Sequence, residues 1–138
     1  MDDERRAHDR AIIAEFRARG GAIGDPRAGR VLGLLHHRGA KTGRSYVTPL
    51  TCLRDDNRWL VAAGNGGRPE YPGWYHNLLA DPEVAVEIGV VAHPVRARPA
   101  RGEEWERYAA RFRVELPVFA VFEAAVTRDI PIFVLEPR

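Results

Sequence analysis

The feature that most constrains this chain is a basic, glycine-bearing turn set between two apolar runs. Val31 to Leu35 leads into His37-Arg38-Gly39-Ala40-Lys41-Thr42-Gly43-Arg44-Ser45-Tyr46-Val47-Thr48-Pro49-Leu50, and an alternating run from Tyr46 to Leu53 leads out. Two such runs joined by a short connection read as a β-hairpin. Gly39 and Gly43 permit positive φ or close approach of the backbone to a ligand. Consecutive N–H groups in such a turn can form a concave anion site, and Lys41 and Arg44 add positive charge beside it. Two readings follow: the turn holds an anionic tail such as a phosphate, or it is a solvated hairpin tip. It is not a P-loop, because the G-x-x-x-x-G-K-[ST] order is absent and no helix signal follows.

The rest of the chain predicts short elements around that hairpin. Asp2 to Arg19 reads as a weakly amphipathic helix ended by Gly20-Gly21, and Ala22 to Gly29 as an irregular loop. Val31 to Arg38, Tyr46 to Arg54 and Arg58 to Ala63 read as an antiparallel meander, with Asp55-Asp56-Asn57 as a solvated turn. A flexible loop from Gly64 to Gly73 leads to a short helix from Trp74 to Asp81, stopped by Pro82. On it Trp74, Asn77 and Leu78 share a face. Glu83 to Gly89 alternates as a half-buried strand. Val91 to Ala100 is its partner, with Pro94 and Pro99 marking an edge or bulge. Gly102 to Val114 and Leu116 to Val126 read as helices. Ile130 to Leu135 is apolar at nearly every position and reads as a central strand. The expectation is one α+β domain spanning residues 1–138: a small barrel of about six mostly antiparallel strands with flanking helices. Residues 1–29 would form a helix-and-loop extension and residues 30–138 the barrel.

Composition narrows the partners. A net charge of +2 with no block of like charge gives no nucleic-acid footprint, but suits one anionic small molecule. No apolar run approaches the ~20 residues of a membrane span. With one cysteine, Cys52, and a charged start, a cytoplasmic protein is expected. The first helix would cover the core, though contact with a partner subunit or a membrane surface is left open.

No residue can be named as a catalytic acid, base or nucleophile. The five histidines (8, 36, 37, 76 and 93) make no metal spacing. His36 and His37 point to opposite faces of a strand, and structural roles are expected for both. His76 could border a site. Cys52 reads as a small buried side chain. Trp74 reads as core, or as a wall for a flat aromatic ligand. If the chain is an enzyme, a cofactor supplies the reactivity.

Taken together, several motifs become recognisable. G-A-K-T-G-R-x-x-V-T-P-L at Gly39 to Leu50, N-G-G at Asn65 to Gly67, P-G-W-Y-H-N-L at Pro72 to Leu78, A-D-P-E-V at Ala80 to Val84 and I-P-I-F-V-L-E-P at Ile130 to Pro137 resemble the deazaflavin-dependent nitroreductase family. The resemblance implies a split β-barrel of the kind that binds flavin mononucleotide (FMN). Its cofactor would be coenzyme F420, an 8-hydroxy-5-deazaflavin with a phosphate and a polyglutamate tail. The reaction would be hydride transfer from the reduced cofactor to a small electron-poor acceptor: a quinone, an enone or a nitro compound. By the same resemblance Lys41, Thr42, Gly43 and Arg44 match the tail-binding turn, and Tyr46, Val47, Thr48 and Pro49 the strand along the cofactor. Ala62, Ala63, Gly64 and Asn65 match the stretch beside the ring, and Trp74, Tyr75 and Asn77 the short helix.

Three departures stand out, the first bearing on phosphate binding, where Arg44 would have to compensate, and the other two on the acceptor. Tyr46 stands where many members carry arginine, and Gly64-Asn65 where Ser-Lys is frequent. Leu116, Phe119 and Phe122 lie in a segment where nitro-reducing members often have tyrosines. A drier acceptor pocket is therefore expected, with little reduction of nitroimidazoles. FMN as cofactor, a non-catalytic deazaflavin carrier, and a homodimer remain open alternatives at this point.

Overall fold

The computed structural model describes residues 2–25 and 29–138, with the side chains of residues 2–5 and 25 excepted. The elements run α1 (Asp2–Ala18), β1 (Gly24–Asp25), β2 (Arg30–Arg38), β3 (Ser45–Asp55), β4 (Arg58–Ala62), a 3-10 turn (Asn65–Gly67), α2 (Gly73–Ala80), β5 (Glu83–Ile88), β6 (Val91–Pro99), α3 (Gly102–Glu115), α4 (Pro117–Ala125) and β7 (Ile132–Pro137). All strand pairs are antiparallel. The order β2-β3-β4-β7-β6-β5 closes on itself through β2–β5, giving the six-stranded split barrel and the flanking helices that the sequence implied. One correction falls in the expected irregular loop, where β1 pairs with the start of β2. Residues 26–28 of that loop lie outside the described residues.

Strand alternation sorts the core into two bodies. Val31, Leu35, Cys52, Val61, Val86, Phe133 and Leu135 face the barrel interior, and Trp74 and Leu78 of α2 plug its end. Leu53, Leu60, Ile132 and Val134 face outward beneath Tyr108, Ala109 and Phe112 of α3 and Phe119 of α4. Strands β4 and β7 are thus buried on both faces, which is why Ile130 to Leu135 carries no polar alternation. The prolines of β6 sit where the strand has one neighbour. β7 pairing begins after Pro94, at Val95, and β5 pairing ends at Arg96, before Pro99.

Helix α1 lays Phe16 into the protein, buried to 1% exposure, and its end is fixed by the Arg17 to Glu87 ion pair at 3.0 Å. Ile12 and Ile13 are half-buried, so its large apolar groups are used in covering the barrel. Among the described residues, no helix is long and apolar enough to cross a membrane. The Asp55 turn departs from expectation. Asp56 is exposed, but Asp55 accepts hydrogen bonds from Tyr108 Oη at 2.6 Å and Arg58 at 2.8 Å, because the β3–β4 turn folds against α3.

Strand length decides where the barrel opens. β4 pairs only with Leu53, Arg54 and Asp55 of the much longer β3, so residues 45–52 have β2 alone as a neighbouring strand. Pro49, which has no N–H to donate, sits in that unpaired stretch.

Inside the barrel Gly33 faces Cys52, whose thiol is fully buried and pushed up to about 12 by desolvation. A Cβ at position 33 would lie 2.8 Å from Cys52 Sγ, 3.0 Å from Ile88 Cδ1 and 3.3 Å from Glu87 O. Gly33→Ala is expected to cost about 1–3 kcal/mol by overpacking, read as a lowered urea midpoint. Adding Cys52→Ala should return part of that loss, and a fully additive double variant would refute the contact.

Candidate functional site

A groove of about 910 Å³ opens along the unpaired half of β3. Its floor is Tyr46, Val47, Thr48, Leu50 and Thr51, and one end is the hairpin tip at Gly39 to Thr42. Ala62, Gly64 to Gly66, Pro72 to Trp74, His76 and Asn77 form the opposite wall. Phe112, Leu116, Phe119 and Phe122 make an apolar side from α3 and α4, and Arg6, Asp9, Arg10 and Ile13 of α1 line the remainder. The volume is that of a site for a large small molecule.

The tip is shaped by both of its glycines. Gly43 adopts φ +72°, which favours glycine. Gly39 serves close approach: a Cβ there would come within 2.7 Å of Thr42 Oγ1 and 3.1 Å of the Tyr46 ring. Within the turn Gly39 N–H donates to Arg44 O at 2.8 Å, and Gly43 N–H to Gly39 O at 2.9 Å. Arg44 N–H donates to Thr42 Oγ1 at 3.2 Å, and Ala40 N–H to Asn77 Oδ1 at 2.9 Å. Among the described residues nothing accepts from the Lys41 and Thr42 N–H groups. The tip therefore offers two backbone donors beside the Lys41 ammonium. Among the described residues, Arg6, Arg10 and Lys41 line the groove together with the carboxylate of Asp9.

Beneath the tip lies a buried polar relay. His37 is 6% exposed, the buried polar side chain among the described residues. Its Nε2 is 2.8 Å from Thr48 Oγ1 and its Nδ1 is 3.0 Å from Asn77 Nδ2. The Tyr46 ring stacks beside it at 5.7 Å and 21°. Burial, helped by the neighbouring His36, lowers the His37 pKa from 6.5 to about 4, so the imidazole is neutral at physiological pH.

The structure brings most of the expected residues together. Lys41, Thr42, Tyr46, Val47, Thr48, Ala62, Gly64, Asn65, Trp74 and Asn77 border the groove. Gly43, Arg44, Pro49, Ala63 and Tyr75 do not: Gly43 and Arg44 are exposed outside the groove lining, Ala63 is fully buried, and Tyr75 packs on Phe133 at 5.8 Å. Trp74 satisfies both readings, 6% exposed and packed on Phe133, yet with an edge on the groove. His76 borders the site as expected. Sequence reasoning missed Arg6, Arg10, Phe112 and, above all, His37, assigned a structural role. Its signal was available: a histidine one strand residue before a cationic tip, in register with Tyr46.

The family model of F420H(2)-dependent quinone reductases matches residues 8–137. An F420H(2)-dependent quinone reductase of Mycobacterium tuberculosis is 36% identical over 139 residues, 96% of this chain and 89% of the relative. A solved F420-H2 dependent reductase (FDR-A) superposes with a TM-score of 0.70 at 34% identity, covering 76% of this chain and 93% of that one. A second solved structure, described as a domain-swapped dimer, gives a TM-score of 0.71 at 30% identity over 98% of both chains.

The lowered His37 pKa carries a stability signature. Burial makes folded His37 bind its proton only near pH 4, against 6.5 for the ordinary side chain. Its contribution is therefore complete above pH 6.5 and is lost as pH falls toward 4, by on the order of 3 kcal/mol in full. Urea unfolding from pH 7 to 4.5 should show a steeper loss for the wild type than for His37→Gln. Parallel curves would refute the assignment.

Proposed function

The chain belongs to the F420H(2)-dependent quinone reductase family, and on that premise we propose that the groove along β3 is where it carries out its reaction. The protein is an oxidoreductase that transfers a hydride from reduced coenzyme F420 to an electron-poor organic acceptor, a quinone among them. The matching family model is that of quinone reductases, so a nitroreductase role has only the motif resemblance behind it.

The observation that carries the site is the direct link from tip to plug: Asn77 at the start of the apolar wall accepts from Ala40 N–H at the cationic end. One elongated anionic molecule could therefore touch both. The residues fit such a group. Lys41 with the Lys41 and Thr42 N–H groups suits a phosphate or carboxylate tail. Trp74, Leu116, Phe119 and Phe122 suit an aromatic ring and exclude water from it. When bound, reduced F420 supplies a two-electron hydride donor. The chain's part is to hold ring and acceptor in contact and dry, which is where positioning lowers the barrier. Dimer formation belongs to the same reading, supported by the structure described as a domain-swapped dimer.

Titration with oxidised F420, followed by tryptophan fluorescence, and turnover of reduced F420 with quinones test this reading. Tight binding without quinone turnover would favour a carrier, and FMN binding in place of F420 a flavin enzyme. Lys41→Ala should raise the KM for reduced F420 about 10- to 100-fold, because one charge-assisted hydrogen bond contributes about 1.5–3 kcal/mol. The kcat should change little, since the tail is held equally before and during transfer. Arg44→Ala, off the groove, should change KM less than about threefold. Equal effects of the two variants would move the tail to the outer face of the turn.

A further inference from the structure

We propose that His37 is a positioning residue: with Asn77 it fixes the direction of the Thr48 hydroxyl, turning Thr48 into a hydrogen-bond donor for a carbonyl or deprotonated oxygen of the ring bound in the groove. The inference rests on the groove being the F420 site, but its internal logic needs only this chain.

The polarity starts at a group that cannot be reversed. The Ala40 backbone N–H can only donate, and its partner at 2.9 Å is Asn77 Oδ1. The other end of that amide, Nδ2, can only donate, and it faces His37 Nδ1 at 3.0 Å. Nδ1 must therefore be the unprotonated acceptor, and the proton of the neutral ring sits on Nε2. Nε2–H then donates to Thr48 Oγ1 at 2.8 Å. That bond fills a lone pair of Thr48 and leaves its own hydroxyl hydrogen to be donated elsewhere. Among the described residues nothing accepts it, and Thr48 lines the groove. The buried imidazole relays the direction of one backbone N–H to a hydroxyl on the groove floor, and the same amide pins the hairpin tip. A site polarised in this way selects an acceptor atom on the ligand and disfavours a donor.

The two nitrogens of His37 can be separated by substitution. Asparagine keeps an acceptor near the Nδ1 position and loses the donor to Thr48, whereas glutamine keeps a donor near Nε2. Binding of oxidised F420 is measured by fluorescence titration for the wild type, Thr48→Val, Thr48→Ser, His37→Asn, His37→Gln and the Thr48→Val/His37→Asn double variant. Thr48→Val is expected to weaken binding about five- to tenfold, with Thr48→Ser within about twofold of the wild type. His37→Asn should weaken it similarly, His37→Gln less. The double variant should be no weaker than Thr48→Val, because His37 acts through that hydroxyl. Unchanged affinity in Thr48→Val, or losses in the double variant that simply multiply, would overturn the proposal, and Thr48→Val decides the matter even if a His37 variant fails to fold. Nitrogen NMR of the cofactor-free protein gives an independent reading: an unprotonated Nδ1 and a protonated Nε2 are expected, and the opposite tautomer would overturn the relay. Wild-type protein that shows the expected tautomer but does not bind F420 would overturn the site reading, and with it the role given to Thr48.

Discussion

The structure depends on a mismatch of strand lengths. β3 spans Ser45–Asp55 and β4 only Arg58–Ala62, so half of a long strand leaves the barrel wall with one neighbour. An exposed edge of that length invites pairing with another chain unless something covers it. Here the cover comes from non-strand elements: the plug helix α2, the 3-10 turn, α4 and the face of α1. They approach the edge without pairing to it, and the space they leave is the groove. The barrel's split and its candidate binding groove are thus one feature, and the groove needs no separate cavity inside a well-packed core.

Besides the apolar packing of Trp74 and Leu78, a polar link joins the two sides of the split. The Ala40 to Asn77 hydrogen bond crosses from the β2–β3 turn to the plug, and His37 completes it from below. A buried polar group is costly when unpaired and specific when paired. Burying His37 sets one tautomer, one amide orientation and one tip conformation together, and no apolar replacement could reproduce that coupling. The buried imidazole therefore works best uncharged, which is the state its burial favours.

Legibility in the sequence followed the same division. The strands and their central member were readable because burial on one or both faces writes itself as alternation or as an unbroken apolar run, as in Val84-Ala85-Val86 and Ile130 to Leu135. Lys41, Thr48, Trp74 and Asn77 were readable through the motifs that carry them. His37 was not, because its role depends on a diagonal contact across β2–β3 and on a helix forty residues away. Asp55 was misjudged for the same reason, since its partner Tyr108 lies on α3. Arg6 and Arg10 have no local signature at all, and they join the site only because α1 folds back along β3. The departures at Gly64 and Phe122 looked independent in sequence. In the structure a Cβ at position 64 would sit 2.9 Å from Phe122 Cδ2, so each accommodates the other.

That coupling bears on the acceptor. With Gly64 bare and the Phe122 ring against it, the wall beside the plug offers no hydroxyl, and Phe119 and Leu116 continue it without polar atoms. A nitro group would place partial negative charge on two oxygens against such a wall and lose hydration without replacement. A quinone is largely hydrocarbon, and its carbonyls can lie toward the polar floor while its ring meets the phenylalanines. Neither histidine on the groove is needed as an acid for hydride delivery itself: His37 is held neutral by its burial, and His76 is exposed at the rim. On the proposed reading, the selectivity of the chain comes from where the groove is dry and where it can donate a hydrogen bond.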